Sequence, residues 1–186
     1  KWADINLMFK NARIGILAIQ ETHLDASHLD TIATLWPHLH VINSAHEKST
    51  STAGVAFVLN RSHLEDPSGT TSWEIIPGQA LLACITWKDQ SLRILNVYGY
   101  NTANESRAMW MKINEWLDDN PTAAPHLDAL LGDFNFVEDK MDRIPAHLSA
   151  VDSAADAFRI LCDRFSLTDG WRECNTGRKD FTWMRP

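Results

Sequence analysis

Two polar tips at the ends of apolar runs carry the chemistry that this chain could perform. Leu127, Ala129, Leu130 and Leu131 suit a strand inside a sheet, Gly132 lets the backbone turn as it leaves, and Asp133 and Asn135 then project from the strand end. Far upstream the apolar run Ile14-Gly15-Ile16-Leu17-Ala18-Ile19 stops at Gln20-Glu21-Thr22-His23. A parallel or mixed sheet would bring Glu21 and Asp133 to one edge. An ionised aspartate there can orient and deprotonate a water, while an asparagine amide can donate to a phosphoryl oxygen as negative charge builds on it. Two carboxylates sharing a site repel by roughly 4 kcal/mol at ~4 Å and an effective dielectric of ~20, a strain that a cation relieves. Glu21 has no Lys or Arg beside it in sequence, and a hard ion such as Mg²⁺ takes one or two carboxylates together with water and substrate phosphate.

Each motif also has a plainer reading. Glu21 can be a loop carboxylate that caps the helix beginning near Asp25, and Gly132-Asp133 can be a turn in which Asp133 and Asn135 bond the local backbone. Tyr98-Gly99-Tyr100-Asn101 ends another apolar run with two phenols and an amide able to donate to a phosphate, although tyrosines at strand ends are common packing residues. His23 can bind a metal or a phosphate, but a single His beside a carboxylate more often reads as structural. The histidines show no zinc-hydrolase spacing, and neither a Gly-x-Ser-x-Gly elbow, a P-loop nor a dinucleotide glycine pattern occurs.

The elements that must position these tips follow from periodicity and punctuation. Trp2, Ile5, Met8, Phe9 and Ala12 recur at helical spacing ahead of the Ile14 strand. Asp25 can cap a second helix that runs to about Leu35 and ends at Trp36-Pro37. His40 to Asn43, Gly54 to Leu59, Trp73 to Ile76, Leu81 to Trp87 and Leu92 to Tyr98 read as strands, the last two joined through Lys88-Asp89-Gln90-Ser91. Met109, Ile113, Trp116 and Leu117 mark an amphipathic helix before the Leu127 strand, and Val151, Ala155, Phe158, Cys162 and Phe165 mark another after it. Clustered strands with helices between them imply two sheets packed face to face with helices outside.

A hydrophobic content of 45% over 186 residues suits one domain with a sizeable core, and no run is long enough to cross a bilayer, so no membrane partner is expected. Cys84, Cys162 and Cys174 are odd in number and form no C-x-x-C pair, which argues against zinc and a disulfide framework and for an intracellular, non-secreted protein. The net charge of −7 argues against gripping nucleic acid by bulk electrostatics. Arg159, Arg164, Arg172, Arg178, Lys179 and Arg185 near Trp171 and Trp183 leave room for a local basic and aromatic rim, although surface Lys and Arg more often serve only to solubilise. The chain opens on Lys1 rather than on a Met or a signal peptide, so a piece of a longer protein is expected.

In order, Ile16 to Leu24 with its Gln20-Glu21-Thr22-His23, then Gly54-Val55-Ala56, Asn96-Val97-Tyr98-Gly99-Tyr100-Asn101, Leu131-Gly132-Asp133-Phe134-Asn135 and Phe181-Thr182-Trp183 resemble the endonuclease/exonuclease/phosphatase (DNase-I-like) superfamily. The likeness is strongest to the apurinic-type endonuclease domains of non-LTR (LINE-like) retrotransposons of fungal type, and it runs through nearly the whole chain. It implies an α/β fold, a four-layer sandwich of two mixed sheets with helices outside, and Mg²⁺-assisted attack of water on a phosphodiester, with Mn²⁺ as a substitute metal. By that resemblance Glu21 binds the metal, Asp133 positions or activates the water, Asn135 with Tyr98 and Asn101 contacts the scissile phosphate, and Trp183 lies on a strand near the DNA-facing rim.

Tyr100 stands where the family often has proline. The family's first strand with its Asn, and its final Ser-Asp-His segment, have no counterpart in the sequence, so residues 1–186 are expected to form a single domain truncated at both termini. The resulting expectation is a DNA-nicking endonuclease domain of a retrotransposon polyprotein, impaired in this piece, with DNA and a reverse transcriptase domain as partners and the nucleus as the parent's location. The alternatives are a catalytically inactive relic or interaction module of the same fold, and a phosphatase or phosphodiesterase acting on lipid or nucleotide phosphates.

Overall fold

Strand alternation divides the side chains of residues 55–59 between two clusters. Val55, Phe57 and Leu59 point one way, into a core shared with Leu81, Ala83, Ile85 and Ile94, while Val58 points the other way, toward Phe9 and Leu39. A strand buried on both faces reads as a continuous apolar run, as this one does. The computed structural model describes residues 1–47, 49, 51–64, 67–137 and 153–178, and these form two compact units, one drawn from 1–98 with 120–133 and the other from 99–119 with 134–137 and 153–178.

The first unit holds helix α1 (Trp2–Ala12), strand β1 (Ile16–Gln20), helix α2 (Ala26–Leu35) and strands β2 (Leu39–Ser44), β3 (Val55–Asn60), β4 (Thr71–Ile76), β5 (Ala80–Trp87), β6 (Gln90–Tyr98) and β7 (Ala129–Asp133). Strands β1, β3 and β2 make one antiparallel sheet in that order; β4, β5, β6 and β7 make a second, antiparallel except for the parallel β6–β7 pair. The inner faces of the two sheets meet in the core just described, joined at its edge by Ile16, Ala18, Ile42, Tyr98 and Ala129. The outer face of the three-stranded sheet is covered by α1 through Trp2, Ile5 and Phe9. Fully burying an aliphatic or aromatic side chain of this kind contributes about 1.5–3 kcal/mol, so the facing sheets supply most of what holds this unit together.

Local chemistry sets the element ends. The Asp25 carboxylate accepts the His28 N–H at 2.9 Å while His28 reaches back to the Asp25 N–H, a capping box that starts α2 where the sequence places it. With α2 capped by Asp25, the capping role considered for Glu21 belongs to another residue. The β5–β6 hairpin is tighter than the four-residue connection read from the sequence: Trp87 pairs with Gln90, and Lys88 and Asp89 alone form the turn, both with positive φ. That is the two-residue geometry that matches strand twist.

In the second unit, helix α3 (Ala103–Asp119) runs alongside helix α4 (Ser153–Phe165). Trp110 of α3 makes edge contacts with Phe134, Phe136 and Phe158, with ring centroids 5.7, 6.2 and 5.0 Å away, and Asn114 Nδ2 donates to the Ala157 carbonyl at 3.1 Å. A one-turn helix, α5 (Gly170–Cys174), follows, capped by Asp169, whose carboxylate accepts the Arg172 N–H at 2.9 Å. Its five residues are too few for a periodic pattern, which is why the sequence reading passes over it. Val151 and the stretch Phe181-Thr182-Trp183 lie outside the described residues.

Candidate active site

Glu21 and Asp133 both fall in the first unit, one from each of its two sheets. Glu21 follows β1 in the three-stranded sheet and Asp133 ends β7 in the four-stranded one, so face-to-face packing, rather than a shared sheet, brings the carboxylates to one neighbourhood. Tyr98 stands between them. It ends β6 and pairs directly with Asp133 in the parallel ladder, its ring packs against the inter-sheet core, and its hydroxyl donates to Glu21 Oε1 in a short hydrogen bond.

Asn96 is the residue that holds this geometry, and the sequence reading assigned it no role. It is 0% exposed, its Nδ2 donates to the Ile19 carbonyl at 3.1 Å and the Ala56 carbonyl at 3.0 Å, and its Oδ1 accepts from Gln20 Nε2 at 2.6 Å. One amide therefore ties β1 and β3 of the first sheet to β6 of the second, immediately before Glu21 and two residues before Tyr98. A buried amide is held in place strongly by such bonds, since each partner left unsatisfied would cost about 1–3 kcal/mol. Its only signal in the sequence is a polar residue inside the apolar run that leads to Tyr98.

The segment after Glu21 is fastened as well. Glu21 and His23 both have left-handed φ values, 51° and 53°, and between them Thr22 donates its N–H to the Gly54 carbonyl at 3.2 Å and its hydroxyl to Asn43 Oδ1 at 2.9 Å. The Glu21 carbonyl accepts from Lys1 Nζ at 3.3 Å. The side chains of Glu21 and Asp133 are exposed at this end, in reach of solvent and a substrate.

The proton on Tyr98 is firmly held. The hydrogen bond to Glu21 is the main cause, followed by burial and by the charges of Glu21 and Asp133, and together they push the phenol up to about 12 from an ordinary value of 10.0. Tyr100 is also raised, by burial and then by Glu105. Because the folded value of Tyr98 exceeds the unfolded one, the stability carried by this bond is complete below pH 10.0 and is lost as pH rises through about 12. The chain has two tyrosines, so tyrosinate absorbance resolves them. We expect both to titrate above the ordinary value with Tyr98 last, and Glu21→Gln to bring the Tyr98 step down; a Tyr98 step near the ordinary value in the unchanged protein would show that the bond is absent in solution.

The remaining sequence-derived residues do not belong to the first unit's described site. Asn135 and Asn101 belong to the second unit. Asn135 has a left-handed φ of 54°, and its Nδ2 donates to the Gly99 carbonyl at 2.7 Å, which fixes the plane of the amide. Asn101 is exposed and immediately precedes Thr102, whose hydroxyl donates to Glu105 Oε2 at 2.5 Å at the start of α3. Trp183 lies outside the described residues. His23 is exposed and pairs with no carboxylate in the manner of a metal ligand, and among the described residues no group of three or more His, Cys, Asp and Glu side chains is arranged to hold a metal. What the donor set offers is oxygen alone: the Glu21 carboxylate, with one oxygen engaged by Tyr98, and the Asp133 carboxylate nearby. That chemistry suits a hard ion that keeps most of its waters and borrows oxygens from a phosphate, and it does not suit zinc.

No family model and no curated protein matches this chain. Solved structures do. A 3′ phosphatase from Neisseria bound to a product DNA hairpin is 20% identical with a TM-score of 0.72, covering 98% of this chain and 73% of that one. An AP endonuclease from Archaeoglobus fulgidus is 13% identical with a TM-score of 0.68, covering 99% and 73%. A mannosyl-6-phosphatase from Bacteroides thetaiotaomicron is 16% identical with a TM-score of 0.56, covering 84% and 60%. At these identities the likeness is one of fold. The chain has the α/β sandwich fold of endonuclease/exonuclease/phosphatase (DNase-I-like) proteins, as its sequence motifs led us to expect.

Proposed function

We propose that this chain carries the phosphodiester-cleaving site of a Mg²⁺-dependent DNA-nicking endonuclease, of the kind found in non-LTR retrotransposon polyproteins that also contain a reverse transcriptase. The observation that carries the proposal is the convergence of Glu21, Tyr98 and Asp133, three strand-end residues drawn from both sheets to one exposed edge. One fold neighbour bound to a product DNA hairpin and another that is an AP endonuclease support DNA as the substrate. In this reading Glu21 would hold the metal, which when bound would neutralise charge developing on the phosphate. Tyr98 keeps the Glu21 carboxylate oriented and stays protonated throughout the working pH range. Asp133 takes the proton of the attacking water, and the Asn135 amide, its plane set by Gly99, donates to a phosphoryl oxygen. By the sequence resemblance alone, Asn101 and Trp183 are assigned to further substrate contacts.

A second reading is a non-cleaving interaction module of the same fold. It draws on the thin ligand set, in which one Glu21 oxygen already accepts from Tyr98 and the described residues form no three-ligand group. The same thinness makes slow turnover the expectation for the first reading. Substrate class is tested by offering the protein, in excess, supercoiled plasmid, phosphoinositide vesicles and nucleoside triphosphates in Mg²⁺. Nicked plasmid with no phosphate release from the other two is the expected outcome. Release from the lipid or the nucleotide with intact plasmid would move the assignment to the phosphatases of this fold.

A further inference from the structure

The same sheet that delivers Glu21 at one end carries a second polar feature at the other. Where α1 finishes and β3 leaves the sheet, a cleft of about 500 Å³ opens over Phe9, lined by Lys10, Arg13, His38, Asn60, Ser62 and His63. Residues 15 to 20 separate it from Glu21, and at about 3.3 Å per strand residue the two lie roughly 20 Å apart. All of its lining belongs to the first unit.

Among the described residues its lining carries no carboxylate. Lys10, Arg13 and His63 are exposed, and among the described residues no side-chain hydrogen bond or ion pair engages them. Arg61, on the same loop, is held 3.1 Å from His40 Nδ1, adding a further cation at this end of the sheet. The carboxylates nearest in sequence are Asp4, ion-paired with the chain's first amino group at the far end of α1, and Glu65 and Asp66, which lie outside the described residues. Cations near a helix C-terminus are favoured by the helix dipole, which by itself would account for Lys10. It does not account for His63, which comes from another element; His38 is already engaged, its Nε2 lying 2.9 Å from Asn6 Oδ1 on α1. Nor does the backbone ask for arginine at position 13, where a φ of 51° would ordinarily select glycine or asparagine. The walls add one uncharged donor, the Ser62 hydroxyl, on a loop braced by buried Asn60, whose Nδ2 donates to the Ile14 carbonyl at 3.3 Å and whose Oδ1 accepts the Ser62 N–H at 3.0 Å.

We propose that this cleft is a second nucleic-acid contact, which takes the phosphate backbone of a DNA or RNA segment at the end of the sheet remote from Glu21, Tyr98 and Asp133. Long, solvated cations over an open cleft suit a continuous polyanion, which many weak charge contacts hold without enclosing it. In a chain of net charge −7 such a patch directs where a polyanion settles, because repulsion elsewhere leaves few places to bind. The proposal rests on the functional reading above only in taking nucleic acid as the partner; the cleft needs no catalysis.

Amide NMR of the labelled protein, titrated with a short DNA duplex in the absence of Mg²⁺, tests it. Signals of residues 60–64 and His38 should shift saturably. The double variant Lys10→Ala/Arg13→Asn, in which asparagine suits the left-handed backbone, should lose those shifts, keep any response around Glu21 and Tyr98, and reduce the slope of log K against log salt by about 2. Shifts confined to the Glu21 end, or an unchanged salt slope in a folded double variant, would overturn the proposal. Inorganic phosphate reproducing the same shifts at equal phosphate concentration would also overturn it, in favour of a small-anion pocket. A response at the cleft alone would uphold it while removing support from the proposed endonuclease site, so the two can fail separately.

Discussion

Asp133→Asn is expected to lower single-turnover plasmid nicking by about 10³-fold, within the range that loss of a general base produces. The asparagine keeps the shape of the side chain but cannot accept the water's proton, so folding and DNA binding should be preserved. Glu21→Gln should cost about 10²-fold or more, because an amide oxygen is a poor ligand for a hard cation. The two variants should differ in a second readout. Glu21→Gln weakens the acceptor for the Tyr98 hydroxyl and so moves the tyrosine titration, whereas Asp133→Asn removes only one of the smaller influences on that phenol. Variants that nick as fast as the unchanged protein, while their tyrosine titrations confirm the substitutions, would show that the chemistry lies elsewhere.

Gly132→Ala is expected to destabilise the protein by about 3–5 kcal/mol, seen as a fall of roughly 10 °C in the thermal midpoint. Gly132 has a φ of 145° and sits opposite Val97 in the parallel β6–β7 ladder, where a Cβ would lie 1.9 Å from the Val97 carbonyl oxygen. That contact is with backbone, and relieving it would require β7 to move away from β6, which carries Tyr98. The sequence suggested that this glycine turns the chain out of the strand. Instead it stays inside the strand and allows a close approach, so that Asp133 ends level with Tyr98. A Gly132→Ala protein melting within a few degrees of the unchanged one would mean that this register is not kept in solution.

Much of this was legible in the residues. Apolar runs located the seven strands to within a few positions, and Asp25 announced the start of α2 because its capping role depends on residues three apart. The two carboxylate tips were legible for the same reason, as polar residues that end buried runs. The sheet each tip belonged to was not. Glu21 and Asp133 lie 112 positions apart in the chain (133 − 21), and nothing local distinguishes partners within one sheet from partners across two. The Asn96 amide was hidden for a related reason: its three partners, Ile19, Ala56 and Gln20, are distant in sequence, two of them through backbone carbonyls that carry no residue signature. The cationic cleft escaped notice because Lys10, Arg13, His38 and His63 are scattered singly through an acidic chain, and only the fold gathers them.

The Glu21, Tyr98 and Asp133 convergence is tested most directly by the single-turnover rate of plasmid nicking, measured in Mg²⁺ and in chelator, for the unchanged protein beside Glu21→Gln. Nicking that appears with Mg²⁺, disappears with chelator and falls about 10²-fold in the variant is the predicted result. Plasmid that is bound but never nicked at any Mg²⁺ concentration, or nicking indifferent to both the metal and Glu21, would contradict it.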